Sequence, residues 1–166
     1  MPFRMKPTYI IDRVTDINLE DLKDEGIRGI LFDLDNTLMA PKSGVLTDDI
    51  DDWLKIAKKD FKIAIVSNNT NLEYMERVQS IFHCPVYAAA KKPSRKIAIK
   101  ALMAIDLLPS QVAMVGDRPL TDILVGQRLG MITILVDPLI KHKEINIVKF
   151  LRKLERIFIK PASKKF

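Results

Sequence analysis

Gly29-Ile30-Leu31-Phe32-Asp33-Leu34-Asp35-Asn36-Thr37 is the stretch on which the reading of this chain turns. It opens on an unbroken apolar run, the pattern of a short strand buried on both faces of a parallel sheet. Two carboxylates then follow, two positions apart. A backbone leaving such a strand can aim both acids into one pocket at the strand's carboxyl end, where open α/β sheets bind their ligands.

Outward from this stretch, five short runs are predicted as strands: residues 29–34, 62–67, 86–89, 112–116 and 132–136. Helical patterns fill the gaps. Thr47 reads as an N-cap, with Asp48, Asp49, Asp51 and Asp52 crowding the positive end of the helix dipole. Ile50, Trp53, Leu54 and Ala57 follow at the spacing of a buried helix face. Leu72, Met75, Val78 and Phe82 mark a second helix. Ser94 is predicted to cap a third, with Ala98, Ala101, Leu102 and Ile105 inward. A fourth runs from about residue 120 to residue 129, and Gly130 suits its left-handed stop. Strand–helix alternation predicts an α/β fold: three layers, Rossmann-like, with a mostly parallel five-stranded sheet covered on both faces. Residues 1–28 read as a lead-in segment with one short helix over 18–25. Residues 29–140 read as the core and 141–166 as a tail.

A chain of 166 residues suits one domain with a single good core. Hydrophobic content of 48% and charged content of 29% are those of an ordinary globular protein. No apolar run reaches the roughly 20 residues needed to cross a bilayer, and no secretory leader is evident. The single Cys84 can form no internal disulfide, which favours a reducing compartment and a cytoplasmic place. The net charge of +6 is unevenly distributed. Residues 141–166 hold nine Lys or Arg and two Glu, a net +7, so the rest of the chain is near neutral. A basic tail favours anionic partners: lipid headgroups, nucleic acid or an acidic protein.

Each predicted strand but the last is followed by a distinct polar group. The first ends in Asp33 and Asp35, the second in Ser67-Asn68-Asn69. Lys91-Lys92-Pro93 follows the third. The fourth ends in Gly116-Asp117, with Asp122 five residues on. Carboxylates, a hydroxyl and an amine converging at one rim make a phosphate site. The acids call for a hard, oxygen-liganded cation, of which Mg²⁺ is the natural one. The hydroxyl and the ammonium can bind phosphoryl oxygens and offset charge that builds in the transition state.

These four segments, in this order, resemble the haloacid dehalogenase (HAD) superfamily of aspartate-nucleophile phosphatases. FDLDNTL resembles its first motif, IVSNN its second, AKKP its third and VGDRPLTD its fourth. The resemblance implies roles residue by residue. Asp33 resembles the nucleophile that becomes an aspartyl phosphate, and Asp35 the general acid and then base. The Asp33 carboxylate, the Asp35 main-chain carbonyl and Asp117 resemble the direct Mg²⁺ ligands, with Asp122 acting through water. Ser67 and Lys92 resemble the phosphoryl-binding pair, with Asn68 beside them and Lys91 as the fallback for Lys92. Thr37 resembles a structural residue of the nucleophile loop. The acid at position 35 separates phosphate chemistry from the metal-free dehalogenase branch.

Between Asp35 and Ser67, and again between Ser67 and Lys92, the predicted elements consume nearly all the chain. No cap domain fits at either place. GIRGILFDLDNTL, AAAKKPSRK and GDRPLTDILVGQRLGMITILVDP resemble the capless subclass IIIA, YqeG-type group, related to mitochondrial phosphatidylglycerophosphate phosphatases. That resemblance implies a lipid phosphomonoester as substrate. Other phosphoesters of the same chemistry (a soluble metabolite, a phosphoprotein or a nucleic-acid end) remain open, as does a non-catalytic RNA- or protein-binding module. In the tail, Ile145, Val148, Leu151, Leu154 and Phe158 fall on one predicted helical face, among Lys149, Arg152, Lys153, Arg156 and Lys160. Such a helix either packs on the core or lies peripherally on the inner face of an anionic membrane. Lys42 and Arg95 read as solvated rather than substrate-binding. His83, His142 and Cys84 lack metal-ligand spacing. Cys84 also lacks the Arg six positions later that a cysteine phosphatase needs, the position being Ala90. No phosphate-binding G-x-x-x-x-G-K-[ST] loop occurs.

Overall fold

The computed structural model describes residues 5–139 and 146–166, excepting the side chains of residues 146–149, 151 and 152. Six parallel strands form one sheet in the order β1-β6-β5-β2-β3-β4. They are β1 (Tyr9–Ile11), β2 (Gly29–Phe32), β3 (Lys62–Val66), β4 (Val86–Tyr87), β5 (Val112–Gly116) and β6 (Ile132–Val136). The helices are α1 (Leu19–Asp24), α2 (Asp48–Ala57), α3 (Leu72–Phe82), α4 (Lys96–Ile105), α5 (Leu124–Leu129) and α6 (Asn146–Ile157). The central strands are buried on both faces, which is why β2 reads as an unbroken apolar run. Successive residues feed opposite cores. Ile30, Phe32, Ile63 and Ile65 meet α1, α2 and α3 on one side. Leu31, Ala64, Val66 and Met114 meet α4 and α5 on the other.

The sheet has one strand more than expected. Tyr9–Ile11 lies in the predicted lead-in and pairs with β6 at the sheet edge, in register Tyr9 to Ile134. Three residues with only Tyr9 fully buried leave too short a pattern to read. Two caps also differ. Helix α4 begins at Lys96 behind Arg95 with no side-chain cap, while the Ser94 N–H is used in a turn to the Lys91 carbonyl. Thr47 does occupy the N-cap of α2, but its hydroxyl donates to Asp49 instead of capping an N–H (2.6 Å). On α3, Leu72 is exposed in the first turn, and Tyr74 takes the inward position. The predicted fourth helix is split, with a wide π-type turn over Pro119–Ile123 preceding α5. Asn18 does cap α1, accepting from the N–H groups of Glu20 and Asp21, and Gly26 follows at φ 82°.

No cap domain is inserted. Residues between β2 and β3 form a loop and α2, and those between β3 and Lys92 form α3 and β4. The chain's end returns to its start. The N–H of Lys160 donates to the Met5 carbonyl (2.8 Å), and that of Lys164 to the Thr8 carbonyl (2.8 Å). Phe166 stacks on Tyr9 with ring centroids 3.8 Å apart, and Lys164 pairs with Glu25. Of the apolar face expected in the tail, Ile145 and the side chains of Val148 and Leu151 lie outside the described residues. Leu154 and Phe158 are exposed. Among the described side chains of α6, the buried one is Glu155.

Candidate active site

Strand order reverses at β2. The chain passes from β2 to β3 and β4 on one side, then crosses to β5 and β6 on the other. A crevice opens at the carboxyl ends of strands at such a switch point. Asp33 stands at the end of β2 and Asp117 at the end of β5, on neighbouring strands paired Phe32 to Val115. The Asp33 N–H continues the ladder to the Val115 carbonyl (2.9 Å), so the nucleophile candidate is fixed by sheet hydrogen bonds. Beyond it the backbone folds tightly around the Leu34 carbonyl, which accepts from the N–H groups of Thr37, Leu38 and Met39. Asn36 adopts φ 64° in this turn, a conformation asparagine tolerates.

Lys92 is the centre of the site. Its ammonium lies 2.8 Å from Asp33 Oδ1 and 2.7 Å from Asp122 Oδ1, and donates to the Val66 carbonyl (2.6 Å). Its side chain keeps 1% of its surface exposed. Lys91, the alternative to Lys92 in the sequence, is exposed. Asn68 holds the lysine in place: its side chain accepts from the Lys92 N–H (2.7 Å) and donates to the Lys92 carbonyl (3.2 Å). Asn68 thus ties the Ser67 loop to the Lys92 loop. Ser67 is buried, and its hydroxyl oxygen accepts from the Asn69 N–H (3.1 Å), leaving the O–H available to a ligand.

The second acidic motif is equally bound in. Thr37 donates to Asp117 Oδ1 (3.0 Å) across 80 residues of sequence, so the predicted structural threonine orients a candidate metal ligand. Asp122 Oδ2 accepts from the Arg118 N–H (3.1 Å) while its other oxygen meets Lys92. It thus closes its own turn and reaches the site at once. Gly116 makes this possible, because a Cβ there would sit 2.2 Å from Asp122 Oδ2.

Asp35 stands apart from this cluster. Its carboxylate is half-buried and accepts from Asn69 Nδ2 (3.3 Å) and the Lys42 N–H (3.4 Å). Lys42 therefore touches the site through its main chain, and its side chain is exposed. Burial, and next the Asp35 charge, raises the pKa of the buried Tyr74 phenol nearby.

Burial pushes the Asp33 carboxyl up to about 6, with Lys92 pulling down and Asp117 pushing up. Asp122 is raised for the same first reason and by the Asp33 charge. Burial alone would lower Lys92, but Asp122 and Asp33 outweigh it and hold the ammonium above its ordinary value. Oxygen atoms of Asp33, Asp117 and Asp122 lie within 4.8 Å of one another. Three carboxylates and one ammonium leave two negative charges in a buried site. This all-oxygen donor set fits a hard divalent cation. Asp33 keeps 13% of its side chain exposed, so its carboxylate can meet a substrate from solvent.

All seven predicted site residues sit at this rim. Three further residues join it. Asn69 binds Asp35, Tyr74 lies beside it, and Arg118 links the Asp122 turn to Glu155 (2.8 Å). Asn69 was visible in the Ser67-Asn68-Asn69 string. Tyr74 and Arg118 carried no local signal.

Acids at the tips of two central parallel strands, with a buried lysine between them and no cap above, define a HAD-type hydrolase. The fold is shared with a HAD-superfamily hydrolase, subfamily IA, from Geobacter sulfurreducens PCA: TM-score 0.52 and 15% identity, covering 66% of this chain and 89% of that one. Residues 2–140 match the mitochondrial PGP phosphatase family, and the chain belongs to it. It is 31% identical to the probable phosphatase YqeG of Bacillus subtilis (strain 168), covering 96% of this chain and 92% of that protein. It is 33% identical to phosphatidylglycerophosphate phosphatase 1, chloroplastic/mitochondrial, of Arabidopsis thaliana over 87% of its own length, and spans 44% of that protein. The protein is a phosphatase, and its substrate is phosphorylated.

Proposed function

We propose that this phosphatase is a Mg²⁺-dependent phosphomonoesterase that works through an aspartyl phosphate and takes the lipid phosphatidylglycerophosphate. The observation that carries the reading is the Lys92 ammonium held between Asp33 and Asp122, beside Asp117. Asp33 and Asp117, with the Asp35 main-chain carbonyl, would hold Mg²⁺, and Asp122 would act through water. When bound, the cation neutralises charge on the carboxylates and phosphoryl oxygens.

Asp33 Oδ1 is engaged by Lys92, which leaves the other carboxylate oxygen to attack phosphorus. The phosphorus–ester oxygen bond breaks as Asp35 gives its proton to the departing oxygen. Asp35, now a carboxylate, takes a proton from water. That water's oxygen attacks the phosphoaspartate phosphorus, the Asp33–phosphorus bond breaks, and inorganic phosphate leaves. Lys92 and the Ser67 hydroxyl stabilise the charge on the transferring group. Asn69 steadies Asp35 for both proton transfers. The lipid part of the reading is supported by the family match and by the open, uncapped crevice, which gives a bulky substrate access.

Phosphate release with Mg²⁺ from vesicles carrying phosphatidylglycerophosphate is the test. Asp33→Asn is expected to lose on the order of 10⁴-fold or more in kcat. Equal release from both proteins removes Asp33 as nucleophile. Release from soluble esters but none from the vesicles removes the lipid assignment and leaves the chemistry standing.

A further inference from the structure

We propose that the outward side of α6 is a docking surface for an anionic bilayer. Phe150, Leu154, Ile157 and Phe158 are 62%, 38%, 66% and 44% exposed, at i, i+4, i+7 and i+8. That spacing puts them on one stripe about 100° wide. The opposite side of the helix is tied down. Glu155 is buried against Arg118 (2.8 Å), and Arg156 meets Asp137 (2.8 Å). Among the described side chains of the helix, the charged Glu155 and Arg156 meet the body, while Phe150, Leu154 and Ile157 are exposed.

Charge selects the occupant. The segment 141–166 carries a net +7, and the Lys153, Lys160 and Lys165 side chains are exposed. A second copy seated on this face would bring two such segments together, a like-charge arrangement that opposes pairing. Nucleic acid would answer the charge but has no use for a Phe/Leu/Ile stripe. An interfacial helix needs both features: apolar side chains for the acyl boundary and cations for anionic headgroups. The helix also packs on the turn Pro119–Ile123, which carries Asp122 and exposes Leu120. Docking there holds the uncapped site at the lipid surface. This inference deepens the lipid-substrate reading and rests on it for its purpose, although binding itself needs no turnover.

The full chain is sedimented with vesicles of phosphatidylglycerol and phosphatidylcholine, or of phosphatidylcholine alone, none carrying a phosphomonoester lipid. Binding is expected to favour the anionic vesicles by at least about tenfold and to weaken as salt rises. The double substitution Phe150→Ser with Ile157→Ser is expected to cut that binding by about tenfold or more while turnover of a soluble aryl phosphate is unchanged. Lys153→Glu with Lys160→Glu provides a second variant outside the apolar stripe and is expected to lose the preference for anionic vesicles. Wild-type protein that stays in the supernatant overturns the proposal, as does an apolar variant that binds like wild type. A concentration-dependent dimer abolished by the serine pair, with vesicle binding unaltered, reassigns the face to a second copy. Asp33→Asn is expected to sediment like wild type, so loss of docking and loss of catalysis are read separately.

Discussion

Lys92 keeps 1% of its side chain in solvent at the rim of β2 and β5, while on α6 Ile157 keeps 66% of its surface there. Each region inverts an ordinary preference: the rim encloses charge, and the tail helix displays hydrocarbon. Enclosed charge survives because each described group is spoken for. Lys92 has two carboxylates and a carbonyl, Asp117 has Thr37, and Asp122 has the Arg118 N–H. Displayed hydrocarbon on α6 is carried by a helix tied to the body through Glu155 and through the strand-like pairing of residues 158–164 with residues 5–8. Exceptions of the first kind mark chemistry, and exceptions of the second kind mark contact.

The contrast breaks most sharply at Lys92. Lys92→Met leaves the Asp33 and Asp122 carboxylates buried without their cation. Removing one partner of a buried pair costs about 3–5 kcal/mol. Urea unfolding at pH 7.5 without Mg²⁺ reads that loss, and activity falls by at least about a hundredfold through the missing phosphoryl contact. Lys153→Met, on the exposed helix, is expected to change stability by no more than about 0.5 kcal/mol. Equal effects at the two lysines would show that the rim is no more costly to disturb than the surface.

The second prediction concerns protons at the rim. Asp33 is raised to about 6 in the folded protein, above its ordinary value of 3.8, and Asp122 moves in the same direction. For a carboxyl raised on folding, the native state binds more protons than the unfolded state between those two pH values. Stability from these groups is therefore present at low pH and lost as pH rises through about 6. A cation bound by the same carboxylates competes with those protons. Saturating Mg²⁺ is expected to raise Tm on the order of 5 °C at pH 7.5 and far less at pH 5. Thermal scans with and without Mg²⁺ at the two pH values check this, and an equal rise at both would place the cation elsewhere.

Legibility followed the same divide. The rim could be read because buried parallel strands are continuous apolar runs, and the polar residue that ends each run must stand at the same sheet edge. Asp33, Ser67 and Asp117 are such residues, and Asp122 follows within one turn. Partners set by loop shape could not be read. Asn68 turns to the Lys92 main chain in a loop where Ala89 and Lys91 adopt φ 48° and 51°. Thr37 finds Asp117 only after the sheet brings β2 beside β5. The edge strand β1 was hidden by its brevity. The tail was read as an amphipathic helix, but helical spacing alone does not say which side meets the body. Among the described side chains the one facing inward is a carboxylate, Glu155, which no hydrophobic pattern marks.

Glu155 is also where the two regions meet, and it yields the smallest expected effect. Its carboxylate holds the Arg118 side chain, and the Arg118 main-chain N–H holds Asp122 Oδ2. Arg118 keeps part of its side chain in solvent, so the pair contributes modestly. Glu155→Gln keeps the shape, removes the charge, and is expected to cost about 1 kcal/mol or less. Hydrogen exchange should quicken across residues 153–164, because the helix loses one of its polar anchors while the Arg156–Asp137 pair and the pairing with residues 5–8 remain. If Arg118 only tethers the helix, Mg²⁺ dependence of turnover stays as in wild type. If it also transmits, the Mg²⁺ concentration for half-maximal turnover rises with the exchange rate, because a loosened Arg118 lets the Asp122 turn shift. A rise in both would join the two exceptions into one device, in which contact on the helix is felt at the acids.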